Sequence, residues 1–155
     1  MPEQTLPFTD GPEAAQERQL AAQRARRPAD PLLSLVVPVF NEEDAVDLFI
    51  DTVTPLLEKS RQRFELVFVN DGSRDDTFAR LFDRGLADRR IRIVNLSRNF
   101  GKEAALTAGI DHARGDILVP MDIDLQDPPE LIAAFVARWR EGYDIVYGIR
   151  AGRHS

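Results

Sequence analysis

The chain has 155 residues, 43 % of them apolar, enough for one buried core. A formal charge of −6 argues against a general nucleic-acid binder, and the absence of cysteine excludes disulfides and thiolate metal sites and fits a reducing, cytoplasmic setting. No apolar run approaches the roughly 20 residues that span a bilayer, and the N-terminal stretch lacks the basic and apolar regions of a signal peptide.

Residues 1–30 are rich in Pro, Ala, Gln, Glu and Arg, and too poor in large apolar side chains to offset ordering entropy. They read as a disordered tail in which "EAAQERQLAAQRARR" has the composition of a transient helix. Its cluster of Arg24, Arg26 and Arg27 could touch an anionic membrane, a solvated tail being the plainer reading. From residue 32 the pattern changes. "LLSLVVPVF" is a near-continuous apolar run, as expected of a parallel strand covered on both faces. "FELVFVN" (64–70), "IRIVNLS" (91–97), "DILVPMD" (116–122) and "YDIVYGI" (143–149) repeat that character. Helical periods lie between them. Ala45, Phe49, Val53 and Leu56 form one stripe, across Pro55, and Phe78, Leu81, Phe82 and Leu86 form a second. Ala104, Ala105, Ala108 and Ile110 make a third, flatter stripe. Leu131, Ile132, Phe135, Val136 and Trp139 make a fourth, closed by Gly142 at C′. Alternating strands and helices predict an α/β parallel sheet, in which ligands bind beyond the carboxyl ends of the strands.

The loops after the strands carry the chemistry. In "PVFNEEDAV", Asn41 suits an N-cap and Glu42, Glu43 and Asp44 suit the positive end of a helix. Alternatively, the Pro38–Glu42 backbone and one carboxylate hold a nucleoside. In "VNDGSRDDT", Gly72 permits a sharp turn and Asp75 or Asp76 can cap the next helix. Capping explains Asp71 less well, and a carboxylate at a strand tip can accept an N–H from the edge of a base. In "LSRNFGKEAAL", Arg98 and Lys102 bring positive charge to a Gly-containing loop that opens a helix, a combination that favours an anion. Neither GxxxxGK[ST] nor GxGxxG is present.

"MDIDLQDPPEL" then places Asp122 and Asp124 on one side of an extended segment, either side of Ile123. Two hard oxygen donors there match Mg²⁺ or Mn²⁺, usually shared with substrate phosphates, and Gln126 continues the alternation. Asp127, before Pro128 and Pro129, suits a helix cap. An acidic turn with solvated side chains is the bland reading. A bare D-x-D is weak, but facing a basic loop and an acidic strand tip it describes a site for a nucleoside diphosphate.

"VVPVFNEE", "VFVNDGSRDDT", "LSRNFGKEAAL" and "MDIDLQDPPEL", in this order, resemble family 2 glycosyltransferases, above all the polyprenyl-phosphate branch of dolichyl-phosphate mannose synthase and bactoprenol glucosyltransferase. The likeness covers residues 33 to about 150. It implies a GT-A-type, Rossmann-like, mostly parallel sheet flanked by helices, and metal-dependent, inverting transfer of a hexose from a UDP- or GDP-sugar to a polyprenyl phosphate. The bactoprenol likeness favours UDP. It implies that Pro38, Val39, Asn41 and Glu42 line the nucleoside pocket, that Asp71 contacts the base, and that Lys102 lies near the nucleotide. Asp122 and Asp124 would be catalytic and, with Gln126, hold Mg²⁺ or Mn²⁺ on the diphosphate, and Arg150 would contact a phosphate. A place at the inner face of the plasma membrane is implied by the family alone.

Two departures stand out. Ile123 occupies a position where relatives mostly carry a small residue. Relatives also continue past "YGIRAGRHS" with an acceptor-binding half, a further acidic region and often membrane helices. Residues 31–155 thus resemble the N-terminal, nucleotide-sugar-binding part of a glycosyltransferase domain, and the alternative is a nucleotide-sugar-binding remnant without turnover. A haloacid-dehalogenase-type phosphatase would carry D-x-D at the first strand with a hydroxyl residue soon after. A sugar-phosphate nucleotidyltransferase would carry a Gly-rich basic loop there. Neither pattern is present. His112 reads as a surface or capping residue, His154 as terminal, Trp139 as core and Asp116 as the opening of its strand.

Overall fold

The computed structural model describes residues 11–149 and 151, which fall into two compact units. The larger, Ala29–Ala133, holds a four-stranded sheet of β1 (Leu32–Val39), β2 (Arg63–Asn70), β3 (Ile91–Asn95) and β4 (Ile117–Pro120). The order is β3-β2-β1-β4 and every pairing is parallel. The first three strands are laid down outward in one direction and the fourth returns to the other side of β1. The strand order therefore reverses between β1 and β4, where a crevice opens in sheets of this kind. Pro38 is tolerated in β1 because β4 pairs only with Leu33–Val36, so the strand has left that ladder before it reaches the proline.

The helices are α1 (Pro12–Arg26), α2 (Val46–Lys59), α3 (Thr77–Ala87), α4 (Lys102–His112) and α5 (Leu131–Arg140). Successive strand residues face opposite sides. On one face Val36 and Val69 pack with Ala105 of α4, joined by Val94, Leu96 and Leu106. A Cβ on Gly109 would lie 2.4 Å from Val36 Cγ1, so α4 rests directly on the sheet. Its buried face is therefore Ala105 and Gly109, while Ile110 is exposed, which corrects the expected stripe. On the other face Phe49 of α2 meets Phe68 edge-on at 5.9 Å between ring centroids. Helix α2 buries Val46, Phe49, Ile50, Val53 and Leu57, one position on from the expected Ala45 and Leu56. Pro55 is accommodated within it. Arg84 of α3 ties back to α2 through Asp47 and Asp51. Of the apolar residues expected to bury α3, only Leu81 is enclosed; Phe78, Phe82 and Leu86 are exposed.

A polar cluster sits within the α4 face. Glu65, 6 % exposed, accepts from the Ser34 hydroxyl (2.7 Å), the Arg114 N–H (2.7 Å) and Arg92 (3.1 Å), and Ser34 Oγ in turn accepts from the Gly115 N–H. Every oxygen of this buried set has a donor, as burial of a charge demands. Asp116 accepts from the Leu32 N–H where β4 begins.

The smaller unit takes in residues up to Pro28 and from Ala134 onward. Here the expected disordered tail is corrected over Pro12–Arg26, which forms a helix of 15 residues with no buried side chain. Ala, Gln, Glu and Arg are strong helix formers, and proline at the first helical position is pre-set for the turn. Residues 1–10 lie outside the described residues. Arg27 bonds Asp144 and the Gly142 carbonyl and lies over the Trp139 ring at 4.3 Å, so it is engaged within the unit. Gly142 follows α5 with φ 115° and closes it through a bond from its N–H to the Trp139 carbonyl. A second correction concerns 143–149, which form no strand: Ile145, Tyr147 and Ile149 are more than three-quarters exposed. An apolar run becomes a strand only where a neighbouring strand edge accepts its hydrogen bonds. No helix among the described residues is long and apolar enough to cross a membrane.

Candidate functional site

The carboxyl ends of all four strands feed one cleft of about 430 Å³ in the larger unit. Its lining includes Pro38, Val39, Phe40 and Glu42 after β1, Asp71 after β2, Asn99, Gly101 and Lys102 after β3, and Asp122, Ile123 and Asp124 after β4. Of the residues singled out in the sequence, seven line it: Pro38, Val39, Glu42, Asp71, Lys102, Asp122 and Asp124. Asn41 and Gln126 do not, and Arg150 lies outside the described residues.

The loops after β1 and β2 are stitched together. Asn41, at φ 51°, donates its N–H to Ser73 Oγ and accepts the Arg74 N–H. The Glu42 N–H goes to Thr77 Oγ1, and the Glu43 carboxylate accepts the Asp76 N–H. Asn41 is thus a tie between loops instead of the expected N-cap, since α2 begins only at Val46. The Asn41 side-chain oxygen is taken up by the Arg74 N–H of the loop after β2, so it is not spent on a helix terminus. Capping of α3 falls to Asp75, whose Oδ1 accepts the Thr77 N–H at 3.0 Å.

Asp71 is 3 % exposed and holds the next loop. Its Oδ1 accepts the Phe100 N–H at 2.8 Å and its Oδ2 the Gly101 N–H at 3.1 Å. Those amides precede α4, whose first residue is Lys102, so one buried carboxylate sets where the lysine starts. A carboxylate has about four acceptor sites, so two remain for a ligand N–H. Gly72 lets the strand-end turn pass directly under Arg98 and Asn99, and Arg98 stacks on Phe100 at 4.2 Å.

At β4, Met121 and Ile123 point into the core while Asp122 and Asp124 point outward, the alternation expected for this segment. The chain then turns at Leu125 (φ 57°), and the Gln126 N–H donates to Asp124 Oδ1 at 3.2 Å. Lys102 Nζ lies 2.6 Å from Asp122 Oδ1. That bond holds the lysine above its ordinary pKa against desolvation, with Asp124 and Asp127 adding to the attraction. The lysine is thus a full cation at neutral pH. Residues that line the cleft without having been singled out as ligands are Phe40, Asn99, Gly101 and Ile123. Their only signal in the sequence was membership of the loops that carried the charged ones.

The glycosyl transferase family 2 profile matches residues 34–154, most of the chain. The chain belongs to that family. It is 52 % identical over 123 residues to an uncharacterized glycosyltransferase of Synechocystis sp., and 46 % identical over 123 residues to a prophage bactoprenol glucosyl transferase homolog of Escherichia coli. Each alignment covers 79 % of this chain but 39 % and 40 % of the relative, so the chain spans about two-fifths of the curated relatives it matches. Among solved structures, glucosyl-3-phosphoglycerate synthase of Mycobacterium tuberculosis, in complex with Mn²⁺, UDP and glucosyl-3-phosphoglycerate, is 30 % identical with a TM-score of 0.57 over 79 % of this chain and 43 % of its own. A mannosyltransferase of Pyrobaculum calidifontis, in complex with GDP-mannose and Mn²⁺, gives a TM-score of 0.60 at 22 % identity over 82 % of this chain and 41 % of its own. The fold of this family 2 member is that of GT-A glycosyltransferases, an α/β sheet with the binding cleft at its carboxyl edge.

Proposed function

We propose that this chain is the donor-binding part of an inverting glycosyltransferase that moves a hexose from a nucleoside diphosphate sugar, UDP in preference to GDP, to a polyprenyl phosphate. The observation that carries the reading is the convergence of Lys102, Asp122 and Asp124 with Asp71 on one cleft at the switch point of the sheet. A cation and two carboxylates suit a diphosphate, and a buried carboxylate with lone pairs to spare suits the N–H edge of a base. Likeness to bactoprenol glucosyl transferases supports the lipid acceptor and the glucose-type donor, and the UDP-bound synthase supports the base.

The donor set suits a divalent cation. Asp122 and Asp124 are hard oxygen ligands, and the Lys102 ammonium already stands as a positive charge against one of them. Among the described residues no group of three or more acidic, His or Cys side chains converges on one point, so diphosphate and water would complete the coordination of Mg²⁺ or Mn²⁺. Bound there, the ion would stabilise charge on the departing nucleoside diphosphate. Gln126 would act through its N–H, which orients Asp124. Pro38, Val39 and Glu42 would flank the nucleoside, with Asn41 fixing their loop and Asp71 reaching the base with its remaining lone pairs. Arg150 is proposed as a phosphate contact on sequence likeness alone.

In the reaction, an oxygen of the acceptor phosphate attacks the anomeric carbon as the bond from that carbon to the diphosphate oxygen breaks, inverting the centre once. The acceptor is already ionised at neutral pH, so it asks less of a general base than a sugar hydroxyl does. Positioning and electrostatics therefore supply most of the acceleration. A lipid acceptor places the reaction at a membrane face, proposed as the cytoplasmic one.

Calorimetric titration with UDP and GDP, with and without Mn²⁺, tests this. UDP should bind in a Mn²⁺-dependent way and more tightly than GDP, and Asp124→Ala should weaken it by about ten-fold or more. A folded chain that binds neither nucleotide with Mn²⁺ overturns the reading. Binding of UDP-glucose with no transfer to polyprenyl phosphate would favour the alternative, a donor-binding remnant without turnover.

A further inference from the structure

The Lys102–Asp122 pair has a consequence for the order in which the cleft fills. An ammonium at 2.6 Å from Asp122 Oδ1 takes up a carboxylate oxygen that a metal ion would need. Asp122 and Asp124 are the carboxylates that line the cleft beside that ammonium, and a small hard cation demands near-octahedral oxygen coordination. With one carboxylate engaged, the protein's contribution to a free ion shrinks further. A nucleoside diphosphate changes both terms at once. It brings phosphate oxygens to complete the metal's shell, and it gives the lysine another anion to meet.

We propose that Lys102 is the resident counter-ion of Asp122 in the donor-free cleft, so that the site discriminates against a free divalent cation and admits it as the chelate of a nucleoside diphosphate. Lys102 thereby has two positions, one on Asp122 and one on the donor phosphates. The inference rests on the donor-site reading above for its second position, while the first stands on the ion pair itself. Exposure keeps the exchange easy. The two side chains are 67 % and 46 % exposed, and solvent-exposed pairs are weak, so the pair tunes binding by a modest factor and is readily displaced. The lysine begins α4 next to Gly101, whose surroundings are open, and its long stem can swing without disturbing the core.

The test is a pair of titrations on the full chain, read by the electron paramagnetic resonance of free Mn²⁺ and by calorimetry. Mn²⁺ alone should bind Lys102→Gln about three- to ten-fold more tightly than the parent, because a competing cation is gone. UDP in saturating Mn²⁺ should bind the same variant several-fold more weakly. Lys102→Arg keeps a cation and should leave free Mn²⁺ affinity near the parent value. A purely structural role for Lys102 would move both affinities the same way, so opposite signs are the signature. Free Mn²⁺ affinity that is unchanged or lower in Lys102→Gln, with thermal unfolding matching the parent, overturns the proposal. Failure of UDP and GDP to bind the parent would sink the donor-site reading instead, and the free Mn²⁺ arm would still decide whether Lys102 guards Asp122.

Discussion

Replacing Gly72 with alanine should damage both the stability of the chain and its cleft. Gly72 has φ +72°, and a Cβ built on it would lie 2.3 Å from Asn99 N and 2.4 Å from Arg98 C. Both neighbours are backbone, so no side chain can swing aside. The left-handed conformation costs an L-residue roughly 1–2 kcal/mol, and overpacking typically adds about 1–3 kcal/mol. The loss should therefore be about 2–5 kcal/mol, a fall in Tm of roughly 4–20 °C for a chain of this size. The loop at 98–101 can relieve the clash only by moving away from Asp71, which would break the bonds from Phe100 and Gly101 to its carboxylate. Mn²⁺-dependent UDP affinity should fall with stability. Gly101→Ala is the control: its φ is +100° but nothing lies within 4 Å of the added Cβ, so only backbone strain of about 1–3 kcal/mol applies. Thermal unfolding and nucleotide titration of both variants decide the matter. If Gly72→Ala unfolds no earlier than Gly101→Ala, the argument from close approach is wrong.

Asp71→Asn should lower stability by about 1.5–3 kcal/mol, because the amide puts a donor against one of two backbone N–H groups and leaves it without an acceptor. Its UDP affinity should drop as well; an unchanged urea midpoint would refute the anchoring role. Glu65 makes stability pH-dependent. Burial pushes its pKa up, but bonds from the Arg114 N–H, Ser34 and Arg92 outweigh burial and hold it below its ordinary value of 4.5. A depressed folded-state pKa gives stability that is fully present above the unfolded value and is lost as pH falls through the folded one. Urea midpoints should therefore decline below about pH 4.5, and Glu65→Gln should be less stable at neutral pH with a shallower acid decline; parallel pH profiles would contradict this.

Much of the larger unit was legible in advance. Four apolar runs became four strands with ends displaced by at most two residues, because a doubly covered strand must be apolar on both faces wherever it goes. The run at 143–149 had the same composition and formed no strand. Composition states what a segment can bury, whereas pairing needs an edge that lies elsewhere in the chain. The expected α2 stripe agrees with the structure at Phe49 and Val53, where large side chains meet the sheet, and is one position off at its ends. The α4 stripe fails at Ile110 because contact there is by Ala105 and Gly109, whose hydropathy carries little signal. Phe78 and Phe82 depart from expectation for the opposite reason: their hydropathy is high and their face is exposed.

For the cleft, the inventory could be read along the chain: which loops carry carboxylates, which carry cations, and that each follows a strand. The outward alternation of Asp122 and Asp124 also follows from local backbone geometry, since side chains on an extended segment alternate whatever its neighbours are. Which of these groups meet depends on how the chain folds back on itself. The tertiary structure put β4 beside β1, gave both oxygens of Asp71 to the amides of Phe100 and Gly101, turned Asn41 into a tie to Ser73 and Arg74, and set Lys102 on Asp122. Each of those partners is 20 or more residues away along the chain. Periodicity is fixed within a turn of helix or two residues of strand, but a partner at that distance is chosen by strand order and loop closure, which no local pattern encodes.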